Sequence, residues 1–162
     1  MLRPYEAADA ETRYRIHSDP AVLAYTGGAR LSRAQSDKYF KAYLSRHKAG
    51  TNCCLLVLDR ITDAPLGDCL LLRFPPTDPE LVLALLPEAR GKGISFEPAG
   101  ALTAVVFASA PLGGIVAKVQ PSNRASLGLC AKVGMVLVGS QPNHWDEAPD
   151  LVYRLARPVH GA

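Results

Sequence analysis

Two basic residues and two glycines alternate in the middle of the chain, where an apolar run 81–86 gives way to a helical run 99–110. The four residues are Arg90-Gly91-Lys92-Gly93. Glycines allow a tight turn and bring backbone N–H groups close to a ligand. The helix start behind them adds unpaired N–H groups and the positive end of a helix dipole. The pattern predicts a phosphate-binding loop, although a plain strand-to-helix loop would produce the same pattern.

Two familiar phosphate motifs do not fit this loop. The P-loop requires Lys directly after its second glycine, and here Ile94 follows Gly93. The dinucleotide fingerprint Gly-x-Gly-x-x-Gly requires a third glycine where this chain has Phe96. Both motifs are therefore excluded.

The segment Arg90-Gly91-Lys92-Gly93-Ile94-Ser95 resembles the Arg/Gln-x-x-Gly-x-Gly/Ala signature of the GNAT acyltransferases, which binds the pyrophosphate of acetyl-CoA. Other family-like segments follow in order along the chain: Leu2-Arg3-Pro4, Asp19-Pro20, Leu66-Gly67, Asn123-Arg124-Ala125-Ser126 and Lys132-Val133-Gly134-Met135. The set is similar to the branch that contains the ribosomal-protein N-terminal acetyltransferases and relatives that modify small molecules. The resemblance implies acetyl-CoA as co-substrate and direct transfer of its acetyl group to a primary amine.

Size and composition allow one domain over residues 1–162 with a substantial core, since 48% of the residues are hydrophobic. The cysteines 53, 54, 69 and 130 form no Cys-x-x-Cys pair, and no histidine cluster completes a metal site. Cys53 and Cys54 would point to opposite faces of a strand. We expect reduced thiols and no metal.

The charge pattern argues against several partner classes. The net charge of +3 comes from dispersed Lys and Arg residues, whereas a nucleic-acid binder concentrates them on one face. No apolar stretch approaches the roughly 20 residues of a membrane span. Charged residues interrupt the N-terminal segment, which therefore lacks the apolar core of a signal peptide. We expect a cytoplasmic protein that binds neither nucleic acid nor membrane.

The order of the elements predicts an α/β (α+β) domain with a mixed, mostly antiparallel sheet of six to seven strands flanked by helices. Strands are predicted at 1–5, 53–58, 66–74, 80–86, 115–120, 135–138 and 151–155, and helices at 7–17, from Pro20 to Gly27, at 33–48, at 98–109 and from 123 to 132. The resemblance implies that the sheet is splayed at its centre, between strands 80–86 and 115–120.

The resemblance also implies where acetyl-CoA lies. Its pantetheine would run between the splayed strands and pair with the backbone of Leu85 and Leu86, where an N–H would polarise the thioester carbonyl. Asn123 and Ser126 match a family pattern that contacts the pantetheine or orders its loop. Helix capping is the alternative role for Asn123.

Acyl transfer needs a neutral amine and a protonated leaving thiolate. The resemblance makes Glu80 the candidate base, because this family branch often carries an acidic residue at the start of the strand that precedes the glycine loop. A solvated strand-end carboxylate is the alternative, and His17 and His144 are weaker candidates. Many family members place a tyrosine where this chain has Cys130. A thiol with a reference pKa of about 8.5 can donate a proton. A small buried apolar residue is the alternative for Cys130.

Proline near the glycine loop is unusual for the family. Pro98 is tolerated in the first turn of a helix, because the N–H groups there have no intrahelical partner. We expect it at the first helical position, so that the helix starts later than in relatives. Glu97 would then lie near the pyrophosphate, and we expect its side chain to face away.

Residues 20–40 and 139–150 are expected to shape the acceptor pocket, with Tyr25, His144 and Trp145 as candidate contacts. The acceptor would be a small-molecule amine or a protein N-terminal amine, and a homodimer is the expected assembly to test. A non-catalytic acyl-CoA-binding or interaction module on the same fold is the alternative function. Cys130 and Pro98 motivate that alternative.

Overall fold

The computed structural model describes residues 1–25, 30–72, 78–143 and 146–158. In these ranges seven strands form one sheet in the order β1-β2-β3-β4-β5-β7-β6. The strands are β1 (Leu2–Pro4), β2 (Cys53–Leu58), β3 (Pro65–Leu72), β4 (Glu80–Leu85), β5 (Gly114–Val119), β6 (Val136–Gln141) and β7 (Asp150–Ala156). The predicted mixed, mostly antiparallel sheet is confirmed.

Helices cover both faces of the sheet. They are α1 (Ala10–Ser18), α2 (Pro20–Leu23), α3 (Arg33–Lys48), α4 (Phe96–Ser109) and α5 (Arg124–Val133), and single 3-10 turns occupy Ala7–Asp9 and Pro87–Ala89. Most boundaries lie within one or two residues of the predicted ones. The first predicted helix divides into a 3-10 turn and α1. The predicted end of α2 at Gly27 lies outside the described residues.

Strands β4 and β5 are parallel neighbours and share only one register pair, Glu80 with Val116. All other neighbouring strands pair antiparallel over at least three residues. Beyond Glu80 the two strands therefore separate, which leaves the β5-facing edge of β4 without ladder hydrogen bonds to β5. The splay expected from the family resemblance is confirmed.

Two apolar clusters pack against the sheet, one on each face. The cluster beneath α4 and α5 includes Leu102, Val106 and Ile115. The cluster beneath α1, α2 and α3 includes Ile16, Val22 and Phe40. Because side chains alternate along a strand, Leu81 and Leu83 of β4 face the first cluster, while Val82 and Ala84 face the second.

The predicted helix caps form where the sequence places them. The Asp19 carboxylate accepts hydrogen bonds from the Ala21 and Val22 amides, and Pro20 occupies the first turn of α2. Ser32 caps α3 in a reciprocal capping box with Gln35. These caps fix the start of the two helices that flank the second apolar cluster.

The expectation for Pro98 is wrong. Helix α4 begins at Phe96 with Ser95 as its N-cap, so Pro98 is the third helical residue and the helix starts earlier than predicted. The reason is that Ser95 already has right-handed helical angles, φ −63° and ψ −29°, and the preceding turn therefore continues directly into the helix. The Pro98 nitrogen still lies among the first-turn positions that lack an intrahelical acceptor, so no helical hydrogen bond is lost.

Among the described residues, no helix combines the length and apolar character that crossing a bilayer requires. The longest described helix, α3, is strongly polar and carries basic residues in its last turn.

Candidate functional site

A cavity of 560 Å³ occupies the opening between β4 and β5. Residues from both strands line it, together with the glycine loop, α2, α5 and the ends of β6 and β7. Its lining includes Arg90, Gly91, Gly93, Ile94 and Ser95 at one end. Glu80, Lys118 and Asp150 also line it. The splayed sheet therefore connects the predicted phosphate loop to the predicted base within one cavity.

Gly91 and Gly93 both adopt φ +72°, the left-handed region that residues with a Cβ avoid. Within the described ranges, the amides of residues 91–95 donate no hydrogen bond to another protein atom. Ser95 makes no side-chain cap to α4, so the helix start is not closed by its own N-cap residue. A run of amides at the N-terminus of a 14-residue helix fits an anionic ligand such as a diphosphate.

The two basic side chains of the loop differ in position. Arg90 lines the cavity, and its Nε donates a hydrogen bond of 3.0 Å to the Leu85 carbonyl at the end of β4. This bond holds the guanidinium beside the strand end. Lys92 is exposed and is not among the cavity-lining residues. Glu97 is exposed as well and lines a separate 280 Å³ depression, in agreement with its expected outward orientation.

The predicted pantetheine contacts are only partly brought together. Leu85, Asn123 and Ser126 line the cavity. Leu86 does not: it is buried in the second apolar cluster, and its amide donates to the Leu66 carbonyl at 2.9 Å. Asn123 caps α5 by accepting from the Ser126 amide at 3.1 Å, so the capping role is present beside the cavity-lining position.

Glu80 opens β4 and forms an ion pair that was not predicted from the sequence. Its Oε2 lies 3.3 Å from Lys118 Nζ on β5, and both side chains are largely buried. The pair bridges the two strands at the point where they begin to separate. Lys118 interrupts the apolar run of β5, and this interruption is the sequence signal that could have identified it.

Cys130 lies on α5, lines the cavity and is 4% exposed. Burial raises the pKa of its thiol to about 11. It also packs in the first apolar cluster with Met135. A thiol with so high a pKa stays protonated near neutral pH but gives up its proton reluctantly, which favours the packing role over proton donation.

Tyr25 lines the cavity at the predicted acceptor end, with Ala21 and Val22 of α2 beside it. His144 and Trp145 lie outside the described residues. Four other polar residues that line the cavity were missed: Gln120, Gln141, Asn143 and Asp150. Asp150 precedes the apolar stretch of the last strand, and a carboxylate at such a position is the signal that could have been used.

The cysteines are free, and Cys53 and Cys54 pack in different apolar clusters, as their alternation along β2 predicts. In residues 1–25, 30–72, 78–143 and 146–158, no three His, Cys, Asp or Glu side chains are grouped closely enough to hold a metal ion. The cavity is lined by backbone amides of the glycine loop, the ion pair of Glu80 with Lys118, and the carboxylate of Asp150.

Several solved structures share this architecture. An acetyltransferase from Agrobacterium tumefaciens matches with 26% identity and a TM-score of 0.79, over 95% of this chain and 88% of the other. Spermidine N-acetyltransferase from Vibrio cholerae, in complex with CoA and spermine, matches with 17% identity and a TM-score of 0.83, over 97% and 95%. Ribosomal-protein-S5-alanine acetyltransferase from Vibrio fischeri matches with 17% identity and a TM-score of 0.83, over 99% and 94%.

No curated protein matches the sequence. The family model for the GNAT acetyltransferase domain matches residues 1–136, which include the splayed strands, the glycine loop and α5. The match covers well over half of the chain, and the glycine loop lines the cavity between β4 and β5. The chain belongs to the GNAT acetyltransferase family.

Proposed function

We propose that this protein is an N-acetyltransferase that moves the acetyl group of acetyl-CoA to a primary amine by direct attack on the thioester. The observation that carries the proposal is the single cavity between β4 and β5. The cavity presents a run of backbone amides at the glycine loop, and the carboxylates of Glu80 and Asp150 also line it. One bound molecule of acetyl-CoA and one amine can meet inside it without a covalent enzyme intermediate.

Backbone amides and the Arg90 side chain would bind the separate parts of acetyl-CoA. The amides of residues 91–95 and the start of α4 would bind the diphosphate, with Arg90 adding charge. The β5-facing edge of β4 beyond Glu80 would pair with the pantetheine amides, as an added strand does. An N–H of that edge, near Leu85, would polarise the thioester carbonyl as negative charge develops on its oxygen.

Glu80 is the proposed base, acting directly or through water on the acceptor ammonium. Its position at the splay point supports the role. Its ion pair with Lys118 means that the acceptor ammonium would compete with the Lys118 ammonium for the carboxylate.

Glu80→Gln should lower kcat/KM most at pH values where the acceptor amine is protonated, and the deficit should shrink as pH approaches the amine pKa of about 10.4. The reason is that a neutral amine no longer needs a base. The pH profile of kcat/KM for wild type and variant measures this, with Glu88→Gln, an exposed carboxylate outside the cavity, as the control. A variant-to-wild-type ratio that stays constant across pH would exclude Glu80 as the base.

The leaving CoA thiolate needs a proton. Cys130 is placed to reach the cavity, but its pKa of about 11 lies above the reference thiol value of about 8.5. Proton transfer from Cys130 to a CoA thiolate would therefore run uphill. We propose that the thiolate takes up one of the two protons that the acceptor ammonium loses, carried through solvent, and that Cys130 mainly packs against the cavity wall.

The function is tested by titrating acetyl-CoA into the protein by calorimetry and then measuring CoA release with a panel of small-molecule and peptide N-terminal amines. Binding together with amine-dependent CoA release supports the transferase. Binding without release across the whole panel would favour the non-catalytic acyl-CoA-binding module. Absence of binding would contradict both functions.

The cytoplasmic location stays a prediction from the sequence.

We propose that two copies of the chain associate through β6. This edge strand exposes Val136, Leu137 and Val138 by 62%, 55% and 54%, and an exposed apolar edge favours pairing with another strand. Sedimentation velocity should show a dimer for the wild type and a monomer for Leu137→Lys. A wild type that sediments as a monomer at tens of micromolar would contradict the homodimer.

A further inference from the structure

Asp150 belongs to a row of polar residues at one end of the cavity. It pairs with Gln141 across β6 and β7, and Val119 pairs with Leu151 across β5 and β7. Because β5 and β7 are antiparallel, the next two residues in this register are Gln120 and Asp150, which therefore lie opposite each other. Residues directly opposite each other on neighbouring strands share a face of the sheet. All three side chains line the cavity.

Asp150 is only 5% exposed, yet no basic side chain among the described residues forms an ion pair with it. In the part of the chain that the structure describes, one side-chain hydrogen bond reaches it, from Asn143 Nδ2 to Oδ1 at 3.0 Å, and no ion pair does. Arg90 lines the cavity at the glycine loop, and Lys118 is paired with Glu80. A buried carboxylate is unfavourable unless a cation or several donors compensate it.

A positively charged group of the ligand can compensate the buried negative charge of Asp150. We propose that Asp150 binds a second ammonium group of the acceptor, so that the acceptor is an aliphatic di- or polyamine. The inference rests on the proposed transferase function, because it assigns a role to a residue of the same cavity. Glu80 then serves the ammonium that is acetylated, and Asp150 holds the one that is not.

Oδ1 of Asp150 accepts from Asn143, and within the described residues no hydrogen bond reaches Oδ2, so the carboxylate has acceptor capacity left for an ammonium group. On the same face of β4 as Glu80, Val82 lines the cavity, and Val22 of α2 lines it as well. These apolar walls suit the methylene chain of an aliphatic amine.

Asp150 also helps to close the 141–150 loop, since Asn143 Nδ2 bonds both the Ala148 carbonyl and Asp150 Oδ1. The test must therefore separate charge from loop structure. Asp150→Asn removes the charge but keeps an oxygen that can accept from Asn143. Glu147→Gln removes one charge from an exposed position of the same loop and serves as the matched control.

Calorimetric titrations of diaminoalkanes with three to eight carbons, and of the monoamines of equal length, into wild type and both variants measure the effect, with and without CoA. We expect at least one diamine to bind wild type about ten- to a hundredfold more tightly than its monoamine, because it makes one additional charge-assisted hydrogen bond. This preference should disappear in Asp150→Asn and persist in Glu147→Gln. A role in loop structure alone would weaken diamine and monoamine equally.

The proposal is overturned if wild type shows no diamine preference at any length, or if the preference survives in Asp150→Asn. The titrations without CoA make this result independent of the transferase function, which is judged separately by acetyl-CoA binding and CoA release. A protein that binds acetyl-CoA and acetylates monoamines and diamines equally would keep the function and lose the role of Asp150.

Discussion

Replacing Arg90 by glutamate is expected to weaken acetyl-CoA binding by about ten- to a hundredfold, because a charge-assisted hydrogen bond to phosphate is replaced by repulsion between two negative charges. Arg90 is the basic residue of the glycine loop that lines the cavity. Calorimetric Kd values for acetyl-CoA at low and high salt measure the effect. The difference between variant and wild type should shrink at high salt, because Arg90 is exposed and ions screen its interactions.

Two matched variants separate the reasons for the weaker binding. Lys92→Glu makes the same charge change two residues away, at an exposed position outside the cavity lining, and should change Kd only a few-fold. Arg90→Lys keeps the positive charge but removes the Nε bond to the Leu85 carbonyl. Binding close to wild type in Arg90→Lys would show that charge dominates. A decrease as large as in Arg90→Glu would show that anchoring to β4 dominates.

If Arg90→Glu and Lys92→Glu weaken acetyl-CoA binding equally, the loop acts only through its long-range charge. The proposed contact between Arg90 and the phosphate would then be wrong. If Arg90→Glu leaves Kd unchanged, the diphosphate does not bind at this loop. Melting temperatures of the variants accompany the titrations, since Arg90→Glu also leaves the Leu85 carbonyl without its side-chain donor.

The elements of the fold were predictable because each has a local signal. Asp19 and Ser32 cap their helices, and the alternation in β2 separates Cys53 from Cys54. The glycine loop could be found for the same reason, since Gly91 and Gly93 supply left-handed backbone at fixed spacing. Local conformational preference was enough for these features.

Contacts between residues distant in sequence were not predictable from local signals. The ion pair of Glu80 joins β4 to Lys118 of β5, and His17 of α1 reaches Asp68 on β3. Such pairs depend on how the strands are ordered and on which face each side chain takes. The sequence alone does not place residues 51 positions apart next to each other.

The error at Pro98 has a related cause. Proline is tolerated at each of the first helical positions, because none of those N–H groups has an intrahelical acceptor. Proline is favoured at the first position but tolerated at the next two as well, so Pro98 does not by itself fix where the helix begins. Ser95 is helical in the preceding turn, and the start shifts to Phe96.

A buried polar cluster on the face opposite α4 is centred on Asp68, which is fully buried. Its Oδ2 accepts from the Tyr5 hydroxyl at 3.1 Å and lies 2.6 Å from His17 Nε2. Burial raises the pKa of Tyr5, and the nearby Asp68 charge raises it further, so the phenol stays a donor. The cluster ties the end of β1 and the end of α1 to β3, and α1 leads directly into the cavity-lining helix α2.

Asp68→Ala should reduce the free energy of unfolding by about 2–4 kcal/mol, because it removes the partner of His17 and leaves the buried Tyr5 hydroxyl without its acceptor. Denaturant unfolding measures it. Tyr5→Phe, which removes only one donor, should cost about 1 kcal/mol. Asp37→Ala deletes a carboxylate from a solvent-exposed pair with Arg33 and should leave stability nearly unchanged. Equal effects of Asp68→Ala and Asp37→Ala would contradict a structural role for the cluster.

Because α2 follows α1 directly, Asp68→Ala should also raise KM for the amine more than KM for acetyl-CoA, whose loop lies on the other side of the opening.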